Sequence, residues 1–163
     1  MTDTKHTLVA LVEDKPGVLN RVASLFRRRG FNIQSLAVGH SEQAGLSRMT
    51  VVVGGNSAEV EQVRKQLDKL INVVRVSDIT EEDIVARELA LIKVKATAST
   101  RSEIIQIVDI FRANIVDVAS DSLTVEVTGD EDKVESLLEL LRCFGVKEIS
   151  RTGRIALTRG GTQ

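Results

Sequence analysis

An α+β fold built from two similar halves is what this sequence predicts, and three observations predict it. Apolar runs alternate with helix-spaced stripes in the order strand, helix, strand, strand, helix, strand. After the acidic stretch Asp78-Ile79-Thr80-Glu81-Glu82-Asp83 the same order begins again. The local wording repeats as well: Phe26-Arg27 leads to Asn32-Ile33, and Phe111-Arg112 leads to Asn114-Ile115. Two consecutive patterns of this kind are tandem ferredoxin-like (βαββαβ) units, each a four-stranded antiparallel sheet with two helices on one face. Halves this small bury little core alone, so pairing with each other or with another subunit is expected. The helix-free face and the edge strands are the surfaces left for partners.

The elements follow in order. Thr7 to Val12 is a nearly continuous apolar run, short enough for a buried strand. Val18, Leu19, Val22, Leu25 and Phe26 take helical spacing, and Gly30 stands where a helix C′ residue belongs. Phe31 to Gly39 and Leu46 to Val53 read as a hairpin around the polar loop Ser41-Glu42-Gln43-Ala44-Gly45. Asn56 with Glu59 opens a second helix whose stripe is Val60, Val63, Leu67 and Leu70, and Val73 to Val76 supplies another strand. In the second half Leu89 to Ala96 is a strand, and Thr100 with Glu103 reads as a capping box. Ile104, Ile107, Val108 and Phe111 then form a helix stripe. Ile115 to Ala119 and Leu123 to Val127 suggest a second hairpin. Asp130 caps a last helix bearing Val134, Leu137, Leu138 and Leu141, and Val146 to Leu157 holds the final strand material.

Composition narrows the function classes. A formal net charge of −1 gives no general drive toward nucleic acid or anionic lipid. Four Phe, with no Trp or Tyr, leave few platforms for stacking bases or sugars. RNA-recognition modules share this strand order but stack bases on aromatics of the central strands. Here the corresponding strand is Met49-Thr50-Val51-Val52-Val53. Cys143 is the only cysteine, so no intrachain disulfide can form and a reducing compartment is expected. Among Leu140, Leu141 and Phe144 it reads as a small core residue. No apolar run reaches membrane-spanning length, and Met1-Thr2-Asp3-Thr4-Lys5 lacks the character of a signal peptide, which makes the cytoplasm the expected location.

Catalysis would need a nucleophile, a base or a metal cage, and no such constellation stands out. His6 and His40 have no second His, Cys or clustered carboxylate at ligand spacing, so each reads as a solvated or edge residue. Gly54-Gly55 is not followed by the residues of a phosphate loop. Arg27-Arg28-Arg29 is explained by the negative end of a helix, or else forms a docking surface for an acidic partner.

The segment with the clearest chemistry is Glu13-Asp14-Lys15-Pro16-Gly17, between the first strand and the first helix. A helix start aims unpaired backbone N–H groups at one point and suits a carboxylate or phosphate. Gly17 has no Cβ, so a ligand can lie against the main chain there. Asp14 can cap the helix or meet a cation. A small zwitterion would suit the loop; a plain capped helix start is the alternative.

The first half resembles an ACT domain, the amino-acid-binding module of many metabolic enzymes. Asp14-Lys15-Pro16-Gly17-Val18-Leu19 is similar to that family's N/D-x-x-G-x-L ligand loop, and Arg29-Gly30-Phe31-Asn32-Ile33 to its R-G-[FY]-N-I entry to the second strand. More narrowly, Arg29 to Leu36 together with Leu46-Ser47-Arg48-Met49-Thr50 resembles the small subunit of acetolactate (acetohydroxyacid) synthase, and the likeness runs the whole chain. It implies an ACT domain over 5–79, a linker over 80–86 and the family's C-terminal ferredoxin-like domain over 87–160. The resemblance further implies a regulatory subunit with no catalysis of its own. In that family the large subunit holds thiamine diphosphate, Mg²⁺ and FAD and joins two 2-oxo acids with loss of CO₂. The small subunit raises its activity and confers feedback inhibition by valine in branched-chain amino-acid synthesis. Carried over residue by residue, the effector loop is Asp14 and Gly17 with Lys15, Pro16, Val18 and Leu19, and the second-strand pair is Asn32 with Ile33. ACT units would pair as a homodimer, the loop of one facing Asn32 of the other. Members often carry asparagine where this chain has Asp14, whose charge would favour a ligand ammonium and repel its carboxylate. A freestanding ACT sensor controlling transcription or another enzyme is the competing reading, and a small independent enzyme is a third.

Overall fold

The computed structural model describes residues 4–160; the reading of Met1-Thr2-Asp3 as no signal peptide lies outside them. The chain divides into two compact units, one formed by residues up to Val85 with those from Arg154 onward, the other by Ala86–Gly153.

In the first unit β1 (Thr4–Glu13), α1 (Val18–Arg28), β2 (Ile33–His40), β3 (Leu46–Gly55), α2 (Ser57–Asp68) and β4 (Val73–Asp78) follow the expected order. The strands form an antiparallel sheet in the order β2-β3-β1-β4, which makes β2 an edge strand. Strand side chains alternate between faces. Leu8, Ala10 and Val12 of β1 and Met49, Val51 and Val53 of β3 join Val22, Leu25, Phe26, Val60, Val63 and Leu67 of the two helices in one core. The intervening residues Thr7, Val9, Leu11, Thr50 and Val52 face the helix-free side, yet they too are buried. That double burial is why the run Thr7 to Val12 reads as continuously apolar.

Local chemistry ends the elements where it should. Gly30, at φ 75°, is the left-handed C′ residue after α1; its N–H donates to Arg27 O, and the Phe31 N–H to Phe26 O at 3.0 Å. Phe31 then packs edge-to-face on Phe26, ring centroids 6.5 Å apart. Asn56 accepts the Glu59 N–H at 2.8 Å and caps α2.

The second unit is organised about β5 (Ile84–Lys95), whose first two residues lie in the first unit. Next come α3 (Arg101–Ile110), β6 (Asn114–Val118), β7 (Ser122–Gly129), α4 (Glu131–Arg142) and β8 (Val146–Arg151), with sheet order β6-β7-β5-β8. Ala90, Ile92, Val94, Leu123, Val125 and Val127 meet Ile104, Val108, Val134, Leu137 and Leu141 in its core. The final strand material divides in two, because β9 (Ile155–Thr158) belongs to the first unit and pairs with β5. Asp130 caps α4 as expected, accepting the Lys133 N–H at 2.9 Å.

Four expectations are corrected. His6 is buried rather than solvated, at 4% exposure, because it lies on β1 with β3 and β4 on either side; its Nδ1 is 3.6 Å from Asp78 Oδ2. Cys143 is exposed, since it is the C-cap of α4 on the turn away from the Leu137–Leu141 stripe. Thr100 does not cap α3: its hydroxyl turns back to accept the Thr97 N–H at 2.9 Å, a local bond that competes with capping. The acidic stretch is ordered as well as solvated, for Ile79 is buried and Thr80 Oγ1 accepts the Thr7 N–H at 3.1 Å.

Candidate functional site

The turn after β1 is held from three sides. The Glu13 N–H donates to Asn72 O at 2.8 Å, and Asn72 Nδ2 returns a bond to Glu13 Oε2 at 2.8 Å. Arg21, on α1, donates through Nη1 to Asn72 Oδ1, and Lys15 Nζ lies 3.1 Å from Glu13 Oε2. The Asn72 hydrogen bond, and after it the Lys15 contact, hold the Glu13 carboxyl below the usual carboxylate range. From the β2–β3 hairpin, Gly45 O accepts the Asp14 N–H at 2.9 Å and His40 Nδ1 stands 3.4 Å from Asp14 Oδ2.

Asp14 therefore turns toward the hairpin and not onto the helix. Gly17, φ 86°, is the N-cap of α1, which has no side-chain cap and no acidic residue in its first turn. The Val18 N–H donates back to Lys15 O at 3.4 Å, which leaves the dipole and the first-turn amides after Val18 to an outside acceptor. A Cβ on Gly17 would meet only Arg21 Nη2, at 3.8 Å, so the space over that residue is open on its other sides. Asp14, Lys15, Pro16 and Gly17 are exposed, Val18 is buried in the core, and Leu19 offers an apolar surface at 46% exposure. Among the described residues no cluster of three or more His, Cys, Asp or Glu suits a metal, and no helix is long and apolar enough to cross a membrane.

Asn32 and Ile33 lie elsewhere. Glu13 pairs with Leu46 and Ile33 with Val53, seven residues farther along β3, which is about 23 Å at strand rise. One chain does not bring the loop and the asparagine together. The sequence reading gave Arg21 and Asn72 no part in the loop, and it did not foresee that Glu13 and His40 help to hold it. Arg21 alone carried a local signal, four residues after Gly17 on a helix and so able to reach back over it. Asn72 arrives from the turn before β4 and His40 from the end of β2.

The profile described as "AHAS small subunit-like ACT domain" matches residues 8–75, and "Small subunit of acetolactate synthase" matches residues 87–160. A protein of Archaeoglobus fulgidus named "Probable acetolactate synthase small subunit" is 59% identical over 156 residues, 96% of this chain and 98% of its own length. The acetolactate synthase small subunit of Mycolicibacterium smegmatis is 56% identical, covering 95% of this chain and 91% of that one. The crystal structure of the Thermotoga maritima acetolactate synthase small subunit matches with a TM-score of 0.88 at 44% identity, over 98% of this chain and 99% of that one. Identity at this level, along nearly the full length of each relative and with one fold throughout, places the chain in the acetolactate synthase small-subunit family, with an N-terminal ACT domain.

Proposed function

We propose that this chain is the non-catalytic, regulatory partner of a thiamine-diphosphate-dependent acetolactate synthase large subunit, raising its activity and conferring feedback inhibition by valine. Thiamine diphosphate, Mg²⁺ and FAD belong to that large subunit. The observation that carries the effector reading is the placement of the two halves of the site at opposite ends of one edge strand. Asn32 and Ile33 stand at the start of β2, and His40, its last residue, touches the loop through Asp14. Antiparallel pairing of β2 with β2 of a second copy sets the start of one strand beside the end of the other. Asn32 of each copy then faces the Asp14–Gly17 loop of its mate, and the two-fold makes two equal sites.

In such a site the first-turn amides after Val18 take the ligand carboxylate, Asn32 hydrogen-bonds its polar end and Leu19 supplies apolar wall. Hydrogen bonds to a charged group contribute about 1.5–3 kcal/mol each. One methylene is worth about 1–3 kcal/mol, so leucine and isoleucine compete at higher concentration. Asp14 attracts the ammonium and weakens any carboxylate placed close to it. Feedback follows if valine binds one arrangement of the pair more tightly than another, at a typical coupling of about 1–3 kcal/mol.

The experiment is an activity assay of the large subunit with and without this chain across a valine titration. Activation by the chain and loss of that activity with valine are expected; unchanged activity in both arms overturns the proposal.

A further inference from the structure

Arg48, in the middle of Leu46-Ser47-Arg48-Met49-Thr50, has no part in the effector loop. Its side chain faces the helix-free side of the first unit's sheet, where Nη2 donates to Ala156 O at 3.0 Å. Two further bonds fix the same C-terminal strap to that face: Arg154 N–H to Ser35 Oγ at 2.9 Å, and Arg154 Nη1 to Thr7 Oγ1 at 2.9 Å. Ala156 is buried, while Ile155 and Leu157 on either side of it point outward. The helix-free face expected to await a partner thus carries the chain's own C-terminal strand. Two of the three bonds use the strap's backbone, and all three depend on the sheet presenting the right side chain.

Ser35 is presented only because β2 is irregular. Ile33 pairs with Val53 and Ser35 with Val52, so two steps on β2 match one step on β3, with a bulge at Gln34. Without the bulge Ser35 would share the face of Ile33, which packs on the helical core. The extra residue turns Ser35 to the face of Val52, toward the strap. The bulge lies directly after Asn32 and Ile33. A bulge is present or absent, not graded, so a change there moves Ser35 between faces.

We infer that the Gln34 bulge, Ser35 and Arg48 form a latch that couples the Asn32–Ile33 end of β2 to attachment of the C-terminal strap. The identity of the effector rests on the reading above; the coupling between β2 and strap does not. By linkage, a ligand that alters strap release must have its own affinity altered by release to the same factor. Ser35 and Arg48 are positioning residues, touching no effector.

Backbone hydrogen exchange on the full chain tests this. Without ligand, Arg48→Gln should raise exchange on the order of fivefold or more both over residues 154–158 and over residues 32–36, with β7 unchanged as the folding control. Arg48→Ala should behave alike and Arg48→Lys should restore protection. A strap that loosens while residues 32–36 keep wild-type exchange overturns the latch, as does a strap that does not loosen. In a second arm, saturating valine should change strap exchange in the wild type and in Ser35→Thr but not in Ser35→Ala. Valine bound by calorimetry with strap exchange unmoved overturns the latch and leaves the effector reading standing. Absence of any valine heat overturns the effector reading, and the ligand-free arm then still decides the latch.

Discussion

Asp14 Oδ2 stands 3.4 Å from His40 Nδ1, and this contact joins the last residue of β2 to the loop that follows β1. Both side chains are largely exposed, so the pair adds little to stability. Its importance is spatial. It identifies which end of the edge strand adjoins the loop, and the opposite end begins at Ile33, directly after Asn32. On the proposed reading a second copy closes the site, and the direction of pairing follows from that.

The loop's scaffold should respond to acid through Glu13. Its carboxyl titrates low mainly because Asn72 donates to it. A carboxyl with a depressed folded pKa stabilises above its unfolded pKa and loses that contribution as pH falls through the folded value. Asn72→Ala should move the Glu13 midpoint up toward the ordinary glutamate value, read from its side-chain carbonyl carbon by NMR. An unmoved midpoint would show that Lys15 alone sets it.

Gly55 should tolerate no side chain. Its φ is 154°, and a Cβ there would lie 2.6 Å from Phe31 Cε1, in a ring already packed edge-to-face on Phe26. Overpacking of this kind costs about 1–3 kcal/mol. Gly55→Ala should lower the urea midpoint accordingly, and Gly39→Ala, where an added Cβ meets nothing within 4 Å, far less.

Arg112 holds φ 53°, in the place that Gly30 fills at φ 75° in the first unit. Both follow a helix, and only glycine is at ease there. Arg112→Gly should stabilise the protein by up to about 1 kcal/mol, seen as a raised Tm.

His6 gives the reverse case of a polar group with poor company. Both ring nitrogens are buried and neither has a hydrogen-bond partner among the described residues, although Asp78 lies 3.6 Å from Nδ1. Asp78 keeps its bonds to Thr80 whether or not His6 is present. Replacement by an apolar residue of similar size removes two unsatisfied atoms, each worth about 1–3 kcal/mol of desolvation. His6→Leu should therefore raise the thermal midpoint, and a clear fall would show that the Asp78 contact outweighs them.

Both βαββαβ units, the Asn56 and Asp130 caps and the Gly30 helix end were legible because each depends on residues within a few positions of one another. Thr100 misled for the same reason: its neighbours satisfy the capping pattern, while its hydroxyl chose Thr97. His6 and Cys143 were misjudged because burial is decided by what packs across the sheet or helix, not by adjacent residues. The loop residues could be named from the chain, but the support by Asn72, His40 and Gly45 joins positions far apart in sequence. The strap bonds span more than a hundred residues and left no local trace.

A shared site can be tested by mixing two defective chains. Gly17→Asp fills the open space over the loop with bulk and negative charge, at a backbone angle that already disfavours any side chain. Asn32→Ala removes the partner's amide. Each homodimer should give no valine heat in calorimetry. When the two variants are unfolded together and refolded in equal amounts, roughly half the dimers are mixed. In a mixed dimer the intact loop of the Asn32→Ala chain faces the intact Asn32 of the Gly17→Asp chain, and the other site carries both lesions. About a quarter of the sites should therefore recover valine binding at near-normal affinity, because a two-fold interface contributes one loop and one asparagine to each site. A site contained within one chain recovers nothing on mixing. Mixed dimers that stay silent, while a wild-type sample taken through the same refolding binds normally, would refute the crossed geometry of β2.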